Sequence, residues 1–266
     1  MTLKTGLAAA LVAAVVAAIV SAATITAIWR GAPGVVDAPG AGLQEKQVID
    51  IVRNFLTKHP EILVEMTTEL DTRQRDEQSA VQQKAIGENA EAIFRSPHAF
   101  VGGNPDGDVT VVEFFDYNCG YCKRALPDLV KLIDSDDKVR VVLKEMPIFG
   151  GDSDDAAKGA LAAMKQGKYF EMHQKLFGES GKADKEKVLR IAGELGLDLE
   201  QLKKDMEGEE IEKALEETRE LGQKLGLQGT PFYLIGDQTI PGAPEDLYDQ
   251  LAKKVGEVRE EGCKIC

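Results

Sequence analysis

The sequence predicts an α/β fold made of a βαβ half and a ββα half, with a block of helices inserted between them and a separate helical segment in front. Three observations carry this. The run Val109 to Phe115 is continuously apolar, β-branched and aromatic, the pattern of a buried central strand, and it leads directly to Cys119-Gly120-Tyr121-Cys122 at the head of a helix. Residues 152–226 are helical in pattern throughout. The chain then closes with two short strands across Gly236-Asp237 and a last helix.

Composition bounds the function before any motif does. The 266 residues are 43% hydrophobic and 29% charged, enough to bury a core and leave an appendage. A net charge of −13 repels phosphate backbones and anionic membrane surfaces. No Lys/Arg-rich block interrupts that balance, so nucleic acid is excluded as a partner.

Residues 1–30 predict a signal peptide or membrane anchor. Leu7 to Trp29 contains no charge, long enough to approach the span of a bilayer, and Trp29-Arg30 resembles an interfacial stop. Ser21-Ala22-Ala23 offers a small-residue cleavage site, and Lys4 favours an N-terminus kept in the cytoplasm. Either way the remainder is expected to be exported: periplasmic or extracytoplasmic, free or anchored to the inner membrane by residues 7–29. Residues 31–43, rich in Gly and Pro, read as a linker.

Residues 44–95 read as a helical oligomerisation segment. Val48, Ile51, Val52, Phe55 and Leu56 share one face at 3/4 spacing. His59-Pro60 breaks the pattern, and a second helix carries Ile62, Leu63, Met66 and Leu70 before turning polar from Asp71 to Lys84. Such an apolar stripe cannot bury itself, which predicts a homo-oligomer. Residues 71–90 fit a solvated helical linker.

The main domain is placed at 99–258. Within it come a strand to Phe115, a helix from Cys119 to Ile133 with Pro127 expected to kink it, and a strand from Val139 to Lys144. The inserted helices are read at 156–164, 169–177, 185–195, 199–206 and 211–225. A hairpin of 232–235 with 239–240 and a final helix from Pro244 to Val255 complete it. That order is the thioredoxin arrangement with a helical insertion at about 152–226. Residues 259–266 form a tail.

The four cysteines occur as two Cys-x-x-Cys pairs, Cys119/Cys122 and Cys263/Cys266. Loops this short staple little of a large domain, so reactivity explains at least the first pair better than a structural role. Disulfide exchange needs a thiolate and a second thiol close enough to close a ring. A helix N-terminus stabilises the thiolate of Cys119, taking its pKa from about 8.5 to somewhere between about 3.5 and 7.5. Cys122, one turn on, is positioned to resolve a mixed disulfide. Cys119 is expected to be exposed and Cys122 shielded. Zinc sites use the same spacing, but the strand before and the helix after favour redox chemistry.

The segment Val111-Val-Glu-Phe-Phe-Asp-Tyr-Asn-Cys-Gly-Tyr-Cys-Lys-Arg-Ala-Leu-Pro127 resembles the active-site segment of the DsbA family of thiol–disulfide oxidoreductases. Gly229-Thr-Pro-Phe-Tyr-Leu-Ile235 is similar to that family's loop with a cis-proline beside the cysteines. The resemblance covers residues 99–256. It implies a cis peptide before Pro231, substrate binding by Thr230 and Pro231, and proton exchange between a buried Glu113 and the deeper cysteine. Lys144 on the neighbouring strand is the expected partner of Glu113, and Tyr121 between the cysteines is a candidate substrate contact. Residues 44–95 resemble the N-terminal extension of DsbA-like proteins of the suppressor-of-copper-sensitivity type, which oligomerise.

His59, His98 and His173 are scattered without metal spacing, and Asp152 to Asp155 lack the further ligands of a calcium loop, so no metal and no cofactor are expected. Cys263/Cys266 read as a mobile tail and a secondary redox pair. The function these features favour is a protein disulfide isomerase acting on exported, cysteine-containing proteins, with a membrane redox partner. The alternatives are a dedicated oxidase kept oxidised by that partner, or a protein that binds copper through its thiolates.

Overall fold

The computed structural model describes residues 44–263. The predicted anchor, the linker and Cys266 lie outside the described residues. Among the described residues no helix is long and apolar enough to cross a membrane. The chain divides into two compact units, one ending at Thr72 and one beginning at Arg73.

The first unit holds helix α1 (Glu45–Lys58) and the opening turns of α2 (Glu61–Glu88). Gln44 closes the start of α1 by donating its N–H to Gln47 Oε1 at 3.0 Å. No residue of α1 is buried. Val48, Ile49, Val52, Leu56 and Leu63 line an apolar groove between the two helices. Ile51, Phe55, Val64, Met66 and Leu70 stand exposed along the same stretch.

The second unit is a five-stranded sheet sandwiched between helices. Its strands are β1 (Phe100–Gly103), β2 (Val109–Phe115), β3 (Val139–Glu145), β4 (Phe232–Ile235) and β5 (Gln238–Pro241), in the order β1-β3-β2-β4-β5. Only β2 and β3 run parallel. The crossover between them is α4 (Gly120–Ser135). Between β3 and β4 stand α5 (Gly151–Lys165), α6 (Tyr169–Gly178), α7 (Lys185–Glu194), α8 (Leu199–Met206) and α9 (Glu209–Lys224), and α10 (Leu247–Glu261) follows the hairpin. This is the predicted thioredoxin arrangement with its insertion.

Strand alternation divides the core into two layers. Val111 and Phe115 of β2, with Val141 and Leu143 of β3, pack against α4, α10 and the inserted helices. Val112, Phe114, Val142 and Leu234 project to the other face. The layer on that second face departs from the sequence reading. Ile86 at the end of α2, with Ile93 and Phe94 of the short α3 (Ala90–Phe94), covers it together with Leu221 and Leu225. Residues 82–95 are therefore part of the catalytic unit, not of a solvated linker. The reason is physical: β2 and β3 are apolar on both faces, and on the second face the insertion supplies Leu221 and Leu225 at the end of α9, so Ile86, Ile93 and Phe94 complete the cover.

Pro127 lies inside α4, which continues through it to Ser135. Two further differences stand out. Strand β1, whose Gly102 and Gly103 carry no strand pattern, pairs antiparallel with β3. The last helix runs to Glu261, and its Arg259 bridges Asp108 and Asp136. Residue 259 thus belongs to the packed domain and not to the tail. Within the insertion, α5 crosses α7 at Gly159, where a Cβ would come within 2.3 Å of Val188 Cγ1; only a glycine permits that approach.

Candidate active site

The site is built where β2 ends. Asp116, Tyr117 and Asn118 turn the chain, and Cys119 becomes the N-cap of α4 in an extended conformation, φ −80° and ψ 113°. Its sulfur accepts the N–H of Cys122 at 3.3 Å, one of the orphan amides of a helix start. On its other side the thiol donates to Thr230 O at 3.2 Å. The Thr230–Pro231 peptide is cis, as the resemblance implies. Sequence positions 119 and 230 are thus brought into contact by the pairing of β2 with β4.

Cys119 and Cys122 are both free thiols. Cys119 is 3% exposed and Cys122 1%. The expectation of an exposed Cys119 is therefore corrected: the Thr230–Pro231 loop lies over the helix start and covers its sulfur. The two sulfurs remain chemically unlike. A hydrogen bond from the Cys122 thiol, opposed by burial and helped by Thr230 and by the amides of Cys122 and Tyr121, lowers Cys119 to about 6. Burial, the bond it gives to Cys119 and the nearby Glu113 push Cys122 far up. One cysteine is poised as a thiolate at neutral pH and the other as its protonated reserve.

Glu113 lies in the middle of β2 on the cysteine side of the sheet. It pairs with Tyr233 of β4, whose hydroxyl donates to Glu113 Oε1 at 2.9 Å. Burial raises its carboxyl to about 8, with the Tyr233 bond pulling the other way. Lys144 is not its partner. It sits opposite Phe114 in the β2–β3 register, on the other face of the sheet, and donates to Ala92 O at 2.6 Å. Burial lowers Lys144 to about 8. The sequence placed the two on neighbouring strands, but they differ by one in register, and one position flips a side chain across a sheet. Tyr121 is 59% exposed, with Arg124 over its ring at 4.6 Å.

These features fix a strand, a reactive pair at a helix start and a cis-proline loop in one place. The model for the DSBA-like thioredoxin domain matches residues 110–256, more than half of the chain. The chain belongs to the DSBA-like thioredoxin family. It is a thiol–disulfide oxidoreductase of the DsbA-like kind, with the ScsC proteins among its relatives. The model for the copper resistance protein ScsC N-terminal domain matches residues 44–77. A thioredoxin-like oxidoreductase from Silicibacter pomeroyi DSS-3 shares 50% identity, over 65% of this chain and 98% of its own, with a TM-score of 0.62. A linker-deletion mutant of ScsC from Proteus mirabilis shares 30%, over 85% of this chain and 99% of its own, with a TM-score of 0.64. The probable disulfide bond formation protein D of Bacillus anthracis is 30% identical over 58% of this chain and 75% of its own. Na(+)/H(+) antiporters of Mycobacterium are 31% identical over 53% of this chain, but the match spans only 24% of their length.

This DsbA-like site has a second polar layer that the sequence reading missed. Glu145, at the end of β3, accepts hydrogen bonds from Tyr169 at 2.6 Å and Tyr117 at 3.2 Å. The Tyr117 oxygen also lies 3.1 Å from His173 Nδ1, and all four side chains are buried. Burial raises Glu145 well above the usual carboxylate range and lowers His173 to about 3, so the cluster is held neutral. The available signal was alternation: Val141, Leu143 and Glu145 share a face. Tyr117 is thus part of the core.

Cys263 is disulfide-bonded and packs against the core, beside Gly236 at the β4–β5 turn. Gly236 lies at the end of β4 opposite the Thr230–Pro231 loop. The reading of this residue as part of a mobile tail is corrected. No cluster of three or more metal-ligating side chains occurs among the described residues.

Proposed function

We propose that the protein is an extracytoplasmic disulfide isomerase acting on cysteine-containing exported proteins. The observation that carries this reading is the asymmetry of the pair, with Cys119 held toward thiolate beside a protonated Cys122. The Cys119 thiolate attacks one sulfur of a misplaced client disulfide. That S–S bond breaks, a Cys119–client disulfide forms, and the departing client thiolate attacks a different client disulfide or returns to displace Cys119. Where the client fails to rearrange, Cys122 gives its proton to Glu113 in the fraction of molecules whose carboxyl is ionised, attacks Cys119 and releases the client reduced. The oxidised pair then takes two electrons from a membrane redox partner. Thr230 and Pro231 bind the extended client strand beside Cys119, and exposed Tyr121 supplies an aromatic contact.

The apolar groove of α1 and α2 and the match of residues 44–77 to the ScsC N-terminal domain support self-association through the first unit. Several reactive pairs on one assembly raise the effective concentration of thiolate near a bound client, which favours shuffling. The uncharged run at residues 7–29 supports export.

The test is recovery of activity from a scrambled-disulfide client, run beside oxidation of the same client from its reduced form. An isomerase restores the scrambled client catalytically in a mildly reducing buffer. Oxidation alone, with no recovery of scrambled client, overturns the isomerase reading and leaves a dedicated oxidase.

A further inference from the structure

Asp116 is 2% exposed, three residues before the attacking cysteine, and neither the mechanism nor the family match gives it a task. Its side chain gathers four hydrogen bonds from three segments. Oδ1 accepts the N–H of Asn118 at 2.7 Å and the Ser153 hydroxyl at 2.8 Å. Oδ2 accepts the N–H groups of Ile148 at 2.6 Å and Phe149 at 3.2 Å. Three of these donors are backbone amides that can only donate. Both oxygens must therefore act as acceptors, which a carboxylate does and an amide cannot.

The same residue touches the attacking cysteine through its backbone, where its carbonyl accepts the N–H of Cys119 at 3.1 Å. Asn118 extends the clamp. Its side chain donates to Ser153 Oγ and to Ala183 O, both at 3.0 Å, and accepts the N–H of Ala183 at 2.9 Å. The turn 116–119 is thereby tied to the β3–α5 loop, the start of α5 and the loop before α7.

We infer that Asp116 is a positioning residue for the redox centre: its carboxylate anchors the 116–119 turn to the helical insertion so that Cys119 enters α4 with its sulfur on the Cys122 amide. This rests on the reading of Cys119 and Cys122 as the exchanging pair. The position demands a carboxylate despite its charge. By Coulomb's law a negative group near Cys119 disfavours the thiolate. Charge and geometry therefore predict opposite signs when Asp116 is neutralised, and that makes the inference decidable.

The experiment compares full-length wild type with Asp116→Asn, following the pH dependence of Cys119 alkylation by iodoacetamide. In Asp116→Asn one oxygen becomes an NH2 group facing N–H donors, so the turn is released. The expected result is an upward move of the alkylation midpoint by about one pH unit, roughly a fivefold slower reaction near pH 6 and about tenfold well below it. Faster hydrogen exchange at the Ile148 and Phe149 amides should accompany it. An unchanged or lower midpoint in folded Asp116→Asn overturns the inference. If that variant does not fold, Ser153→Ala decides. It removes one donor of four, so a smaller rise supports the inference and an unchanged midpoint sinks it. Client turnover by wild type is measured alongside. Its absence would refute the functional reading, while the alkylation profile would still report on Asp116.

Discussion

Tyr233 stands directly across from Glu113 in the antiparallel pairing of β4 with β2, and its hydroxyl holds Glu113 Oε1 at 2.9 Å. This contact puts the buried carboxyl on the cysteine side of the sheet and gives it a neutral donor in place of a cation. Its ionisation is therefore governed by burial.

Stability should register that burial. Glu113, raised from 4.5 to about 8, keeps a proton in the folded protein that the unfolded chain has lost. The folded state binds more protons between those values, so stability falls as pH rises through that window, by at most roughly 5 kcal/mol. Glu113→Gln cannot ionise and should be more stable than wild type at pH 8 but not at pH 4.5. Urea unfolding at both pH values checks this. An identical pH slope in both proteins would show that Glu113 does not carry it.

At the cysteines, the thiol of Cys122 is the leading cause of the lowered Cys119 pKa. Cys122→Ala should move the alkylation midpoint of Cys119 upward from about 6, with the Cys122 and Tyr121 amides still keeping it below the ordinary thiol value. Cys119→Ser should abolish exchange, and Cys122→Ser should accumulate mixed disulfides with clients. Mass spectrometry of the trapped adducts identifies which sulfur attacked.

The boundary between the two units makes a prediction about deletions. Removing residues 44–72 should leave a folded catalytic unit with its alkylation profile intact and its isomerase activity reduced. Removing residues 44–95 should not, because Ile86, Ile93 and Phe94 cover the second face of the sheet. Ile86→Ala alone, at a fully buried site, should cost about 2–5 kcal/mol. Chemical denaturation measures the loss. Light scattering on the full chain against the 44–72 deletion tests self-association, and equal oligomeric states would refute it.

The C-terminal pair should act on stability and not on redox poise. Cys263 packs beside Gly236, and the four residues of β4 separate that turn from the Thr230–Pro231 loop over about 13 Å of strand. Cys263→Ser should lower the thermal midpoint and leave the Cys119 alkylation midpoint and client turnover unchanged. A shift in either would show that the C-terminal pair exchanges with Cys119 and Cys122.

What the sequence determined by itself is what local pattern can encode. The Val109–Phe115 run, the cysteines at a helix start, the Gly236-Asp237 turn and the 3/4 periodicity of the insertion all act over a few residues. Together they sufficed for the fold and for Cys119 and Cys122, whereas Glu113, Thr230 and Pro231 came from the resemblance of their segments to the DsbA family. The tertiary structure decided whatever depends on face and register. Lys144 and Glu113 look like neighbours along the sequence, yet the parallel register sets Lys144 across from Phe114 and sends the two side chains to opposite faces. Ile86 and Phe94 sit in stretches too polar to announce themselves, and they became core because an apolar sheet face had to be covered. Asp116 and Glu145 read as charged residues at strand ends. Only folding, by delivering four donors to one and two tyrosines to the other, made them buried parts of the site. Long-range contacts of this kind leave no periodicity in the sequence, because each is created by the closure of loops that local preference does not specify.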